Sequence, residues 1–155
     1  MRDFYQLPED AAILDVGCAK GFMLYDFGLL MPQARLAGID ISQYAIQNAL
    51  DAMKPFVREG NATSLDFPDR SFNLVLAINT LHNLPYEQCK RSLREIQRVS
   101  KGHSFVMVDA YRNETEREAL KKWVLTAETV LHVDEWLELF SSAGFQGDYC
   151  WWSVA

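Results

Sequence analysis

Short, uninterrupted apolar runs alternate with stretches of helical spacing over the first two thirds of the chain. AAILDV (11–16) carries no polar alternation and predicts a strand buried on both faces, and GFMLYDFGLLM (21–31) continues at helical period. ARLAGIDI (34–41) predicts a second strand, after which Ser42 is placed to cap a helix over QYAIQNALDAM (43–53). FVREG (56–60) is a weaker third strand followed by the turn-rich NATSLDFPDRS, and FNLVLAI (72–78) is the strongest strand of the set. A helix over 86–101 leads into a fifth strand, SFVMVDA (104–110). Apolar strands separated by helices predict an α/β fold, an open and mostly parallel sheet with helices on both faces.

The last third departs from this alternation. NETEREALKKWVLTAETVL (113–131) predicts a charged helix running into an irregular apolar segment, and only then does VDEWLELFSSAGF (133–145) supply a helix that Gly144 can end. Residues 112–132 are therefore expected to be an insertion. GDYCWWSVA adds one final aromatic strand, so the C-terminal strand region is expected to be short. The YCWW strand is expected to sit at an edge and to pair with a second copy of the chain or with a partner segment. There are no repeats, low-complexity stretches or long linkers, and residues 1–155 are expected to form one domain.

Composition narrows the function classes. With 155 residues, 49% of them apolar, the chain can bury a sizeable core, and its net charge of −6 argues against a nucleic-acid backbone as partner. The densest basic stretch, KRSLREIQR (90–98), has helical apolar spacing and reads as a solvated helix face. No run approaches the length of a membrane span and no leader pattern is present, so a cytoplasmic protein with no membrane partner is expected. Cys18, Cys89 and Cys150 have no metal-like spacing, which favours reduced thiols and no metal site.

In an open parallel sheet, ligands sit beyond the carboxyl ends of the strands where strand order reverses. Asp15 stands near the end of the first strand, Asp40 ends the second, Asn61 follows the third, and residues 79–82 follow the fourth. Gly17 and Gly21 suit either a backbone pressed against a ligand or a tight packing turn. Asp40 suits either a pair of ribose hydroxyls or the cap of the next helix, and Asn61 either an adenine edge or a plain turn. The long connection of residues 111–133, carrying Trp123, Thr126 and His132 with Trp136 just beyond, is expected to fold over the crevice as a substrate lid. At helical apolar positions, Trp123 and Trp136 read equally as core.

Four stretches in register, ILDVGCAKG, GIDIS, GNATSLDFPDRSFNLVLAINTLHNL and SLREIQRVSK, resemble the class I S-adenosylmethionine-dependent methyltransferases. The resemblance is to the small type whose cofactor loop reads D-x-G-C-G-x-G, and it covers about residues 11–110. It implies a Rossmann-like sheet and methyl transfer from S-adenosyl-L-methionine to a small-molecule acceptor, with S-adenosyl-L-homocysteine as product. By this resemblance Asp15, Gly17, Cys18 and Gly21 hold the methionine part, Asp40 the ribose, and Ile41 one adenine face. Asn61 and Ala62 meet the adenine edge, and Ile78 and Asn79 line the sulfonium end. His82, in the loop after the fourth strand, is read either as a general base for a hydroxyl or amine acceptor or as a packing residue.

The chain departs from the family pattern at two positions. Ala19 replaces a glycine, which predicts that strongly positive φ is avoided there. Asn61 replaces the commoner aspartate, with its carbonyl expected to accept from the adenine amino group. MRDFYQLPED leaves little chain before the first strand to cover a cofactor. A nicotinamide-binding domain is disfavoured because GCAKG lacks the G-x-G-x-x-G spacing. The remaining alternative is an S-adenosylmethionine-binding module, or a catalytic core without its own substrate cap, that is inactive alone.

Overall fold

A computed structural model describes residues 1–153. Seven strands form one sheet: β1 (Ala12–Val16), β2 (Arg35–Asp40), β3 (Val57–Glu59), β4 (Phe72–Ile78), β5 (Ser100–Tyr111), β6 (Leu131–His132) and β7 (Asp148–Trp152). Their order is β3-β2-β1-β4-β5, with β6 and β7 both pairing with β5, and every strand pair described is parallel. The strand order reverses between β1 and β4, where a crevice must open at the carboxyl ends.

β1 is central and buried along its whole length, which is why its sequence is apolar without alternation. Its side chains nevertheless divide by period two. Ala12, Leu14 and Val16 point to one face and Ile13 to the other. The first face packs against α3 (Tyr86–Val99) through Leu93 and Ile96, and against α5 (Val133–Ala143) through Trp136 and Leu139. The second face is covered by Leu24 and Phe27 of α1 (Phe22–Leu30), by Ala49 and Met53, and by Tyr5 and Leu7. None of the described helices is long and apolar enough to cross a membrane.

Three elements differ from expectation. The helix expected over 43–53 is only α2 (Gln43–Gln47), capped by Ser42, whose hydroxyl accepts from the Ala45 N–H. Asn48 ends it by turning its side-chain amide back onto the Tyr44 carbonyl, and the following turns bury Ala49 and Met53 while the Leu50 N–H donates to the Lys20 carbonyl. β5 begins at Ser100, so residues expected to end a helix instead extend a strand that pairs with Phe72. The charged helix is α4 (Glu114–Trp123), as expected, but the irregular segment after it ends in the short strand β6, which the sequence pattern does not predict.

Residues 1–8 pack against the amino end of the sheet, where Tyr5 stacks on His103 at 4.7 Å, and so lie away from the crevice. The loop between β3 and β4 is pinned by Arg98, which donates to the carbonyls of Leu65 and Phe67, while Glu95 accepts from the Leu65 N–H. On β7, Tyr149 and Trp151 stack on Phe140 while Trp152 lies against Trp123 at 5.1 Å.

Trp136 joins the core to the carboxyl end of β5, because its fully buried indole donates to the Asp109 carbonyl at 3.0 Å. Trp136→Ala is expected to lower stability by roughly 3 to 5 kcal/mol in urea unfolding, the range for large aromatic truncations in a packed core.

Candidate active site

The loop after β1 folds back over the end of β2, with the N–H groups of Gly17 and Cys18 both donating to the Ile39 carbonyl. Gly17 has φ +83°, and a Cβ there would overlap the Thr80 side chain, so only glycine lets the loops after β1 and β4 touch. Gly21 has φ +82° and opens α1, and a Cβ there would lie 2.9 Å from Met53 Cβ. Its glycine therefore serves packing against residues 49–53.

Ala19 contradicts its expectation, since it adopts φ +46°. Its N–H donates to Asp40 Oδ2 at 2.8 Å, and that bond holds a conformation an L-residue otherwise avoids. Asp40 Oδ1 accepts from the Ser42 N–H at 2.8 Å. Asp40 thus fastens the loop after β1 to the loop after β2 and also lines the crevice, while the next helix is capped by Ser42.

The crevice holds a cleft of about 430 Å³. Gly17, Asp40, Ile41, Asn61, Ala62, Ile78 and Asn79 line it. Asp15, Cys18 and Gly21 do not. The Cys18 thiol turns into the core beside Leu24 and Gly38, where burial pushes it up to about 12 and leaves it an inert packing group. Asp15 is buried beneath the loop, and no donor among the described residues reaches its carboxyl. Burial, reinforced by the charge of Asp40, pushes its pKa up to about 7.

Asn61 also differs from expectation. Its Oδ1 already accepts from the Thr63 N–H and hydroxyl at 2.9 and 2.8 Å, which fixes the amide orientation because a backbone N–H can only donate. The amide NH2, a donor, is the free group. Asn79 has φ +53°, donates its N–H to the Met107 carbonyl, and accepts the Asn83 amide on its own carbonyl.

Beyond Asn79 and Asn83, which line both spaces, a second cavity of about 540 Å³ opens. Its floor is His82 and Asp109, and its walls include Trp123, Leu125 and Trp152. His82 Nδ1 accepts the Asp109 N–H at 2.9 Å, so the ring proton resides on Nε2, 3.7 Å from Asp109 Oδ2. Burial lowers the His82 pKa, partly opposed by Asp109, and raises that of Asp109. With one nitrogen accepting and the other protonated, neutral His82 has no lone pair to offer as a base.

The connection expected to form a lid supplies one wall of this cavity through residues 123–127. It is tied down by Thr126 Oγ1 donating to Asn83 Oδ1 and by the Glu128 and Thr129 N–H groups donating to the His82 carbonyl. His132 instead caps α5, and Trp136 belongs to the core. Asp109, Asn83 and Trp152 went unread in the sequence, although Asp109 lies near the end of its strand, two residues before Tyr111.

The sequence matches the methyltransferase domain family over residues 13–103, more than half of the chain, and the protein belongs to that family. It is 31% identical over 133 residues to a tRNA (carboxymethyluridine(34)-5-O)-methyltransferase of Arabidopsis thaliana, covering 84% of this chain and 31% of the relative. It is 27% identical over 132 residues to a malonyl-[acyl-carrier protein] O-methyltransferase of Legionella pneumophila, covering 82% and 45%. The YcgJ protein of Bacillus subtilis superposes with a TM-score of 0.73 at 19% identity, over 91% of this chain and 64% of that one, a likeness of fold. The chain spans only part of the relatives it matches, 31% of one and 59% of another.

Asp15 carries the clearest pH signature. An unfolded carboxyl ionises near 3.8 and the folded one near 7, so the native state holds the extra proton and loses stability as pH rises between those values. Asp15→Asn is expected to be more stable than the parent at pH 8 by about 2 to 4 kcal/mol in urea unfolding, with the difference shrinking toward pH 4. Gly17→Ala is expected to lose a few kcal/mol at either pH, through overlap with Thr80 and a strained φ.

Proposed function

We propose that the protein is an S-adenosylmethionine-dependent methyltransferase acting on a small-molecule acceptor. The observation that carries this reading is the buried Asp15 carboxyl, which no donor among the described residues reaches and which lies near enough to Asp40, on the cleft wall, to feel its charge. A ligand bearing an ammonium group and a ribose complements that pair.

The residues present fit the cofactor. Asp15 would favour the methionyl ammonium, and Gly17 lets the backbone approach it. Each Asp40 oxygen accepts one backbone N–H and keeps a lone pair for a ribose hydroxyl. Ile41, 70% exposed, offers an apolar face to the adenine, and Asn61 with Ala62 offers hydrogen-bonding groups at its edge. Asn79, which lines both spaces, and Ile78 beside it in the cleft would line the sulfonium end. When bound, S-adenosylmethionine supplies an electrophilic methyl group and leaves as S-adenosylhomocysteine. The chain's contribution is to hold an acceptor in the adjoining cavity at the right distance and to keep water from it. Residues 112–132 act there as the lid.

The exposure of Ile41 also favours a second reading, a binding module whose cover lies elsewhere and which does not turn over alone. A methyl-transfer assay separates the two.

Isothermal titration is expected to detect S-adenosylhomocysteine binding and none of NADH. Asp40→Ala should weaken that binding by about 1.5 to 3 kcal/mol, roughly ten- to a hundredfold. A folded Asp40→Ala variant that binds as tightly as the parent would remove Asp40 from the site.

A further inference from the structure

The second cavity is built around a single carboxylate. Asp109 is 5% exposed, and among the described residues no lysine or arginine lines the space it faces. The ionisable side chain beside it is His82, whose Nε2–H at 3.7 Å is too far for a strong hydrogen bond. His82 does not supply a balancing charge, because its Nδ1 accepts the Asp109 N–H and so carries no proton. The carboxyl therefore opens onto the cavity without a cationic partner among the described residues, and a ligand can supply one.

The wall above Asp109 is aromatic. Trp123 and Trp152 stand 5.1 Å apart and tilted by 33°, and Trp123 is 60% exposed although it is the largest kind of side chain. A buried acid beneath indole faces complements one kind of head group, since a cation gains from both the carboxylate and the ring quadrupoles. An anionic acceptor would meet like charge with no basic residue to offset it. A neutral hydroxyl would leave the Asp109 charge uncompensated.

Building on the reading that the adjoining cleft holds S-adenosylmethionine, we propose that the methyl acceptor is a small amine whose apolar or aromatic body rests on Trp123 and Trp152 and whose nitrogen is held by Asp109. Asp109 then has a second task. Taking one proton from the ammonium breaks an N–H bond, forms an O–H bond on the carboxyl, and leaves the nitrogen lone pair free. A carboxyl whose pKa burial has raised is suited to accept that proton. His82 is a positioning residue, fixing the backbone of Asp109 through Nδ1.

Three probes with the same indole body and different heads test the proposal: tryptamine, indole-3-ethanol and indole-3-propionate. Binding of S-adenosylhomocysteine is measured first, so that failure of the cofactor reading is seen separately. Each probe is then titrated into protein saturated with S-adenosylhomocysteine. Tryptamine is expected to bind about tenfold tighter than either of the others, as one charge-assisted contact allows. Asp109→Asn should abolish the preference while leaving S-adenosylhomocysteine affinity unchanged. Trp123→Ala, at an exposed position that does not endanger folding, should weaken tryptamine binding. Should Asp109→Asn fail to fold, the comparison in the parent protein still decides. Equal binding of the alcohol or the acid, survival of the preference in Asp109→Asn, or no binding of tryptamine to the S-adenosylhomocysteine-loaded protein overturns the proposal.

Discussion

Asp40 holds two loops with one carboxylate, accepting the Ala19 N–H on one oxygen and the Ser42 N–H on the other. The remaining geometry of the cleft depends on that clasp. It compensates the positive φ of Ala19, and it keeps the loop after β1 close enough to the loop after β4 for Gly17 to meet Thr80. It also places a negative charge near Asp15, which together with burial keeps the Asp15 carboxyl protonated well above the usual carboxylate range. The same residue therefore shapes the cleft and sets its electrostatics.

Asp15, Asp40 and Asp109 stand at or near the carboxyl ends of β1, β2 and β5, and among the described residues no lysine or arginine lines either space. Such a crevice selects against anions and favours positive charge. A sulfonium cofactor with an ammonium group and an amine acceptor are complementary to it at successive points. The parallel sheet imposes this convergence, because every strand delivers its last residue to the same side.

The strands other than the two-residue β6 were legible because buried parallel strands read as unbroken apolar runs, and FNLVLAI of β4 forms over the same residues that its pattern marks. The caps at Ser42 and Gly144 were equally legible, since each depends on a local bond or on a φ that the residue type announces. What stayed hidden was set by tertiary partners. Ala19 enters the left-handed region only because Asp40 holds its N–H, and Asn61 loses its free carbonyl to Thr63. Asp109 escaped notice because its meaning comes from His82, 27 positions earlier, and from indoles on α4 and β7. A histidine near a strand end suggests a base, and only its hydrogen-bond partner reveals which nitrogen holds the proton.

The most direct measurement of the central claim is electron density from a crystal grown with S-adenosylhomocysteine. The account predicts the ribose hydroxyls on Asp40, the adenine against Ile41 with the Asn61 amide at its edge, and the sulfur beside Asn79 at the mouth of the second cavity. Density for the nucleoside outside this cleft, or an empty cleft at saturating ligand, would contradict it.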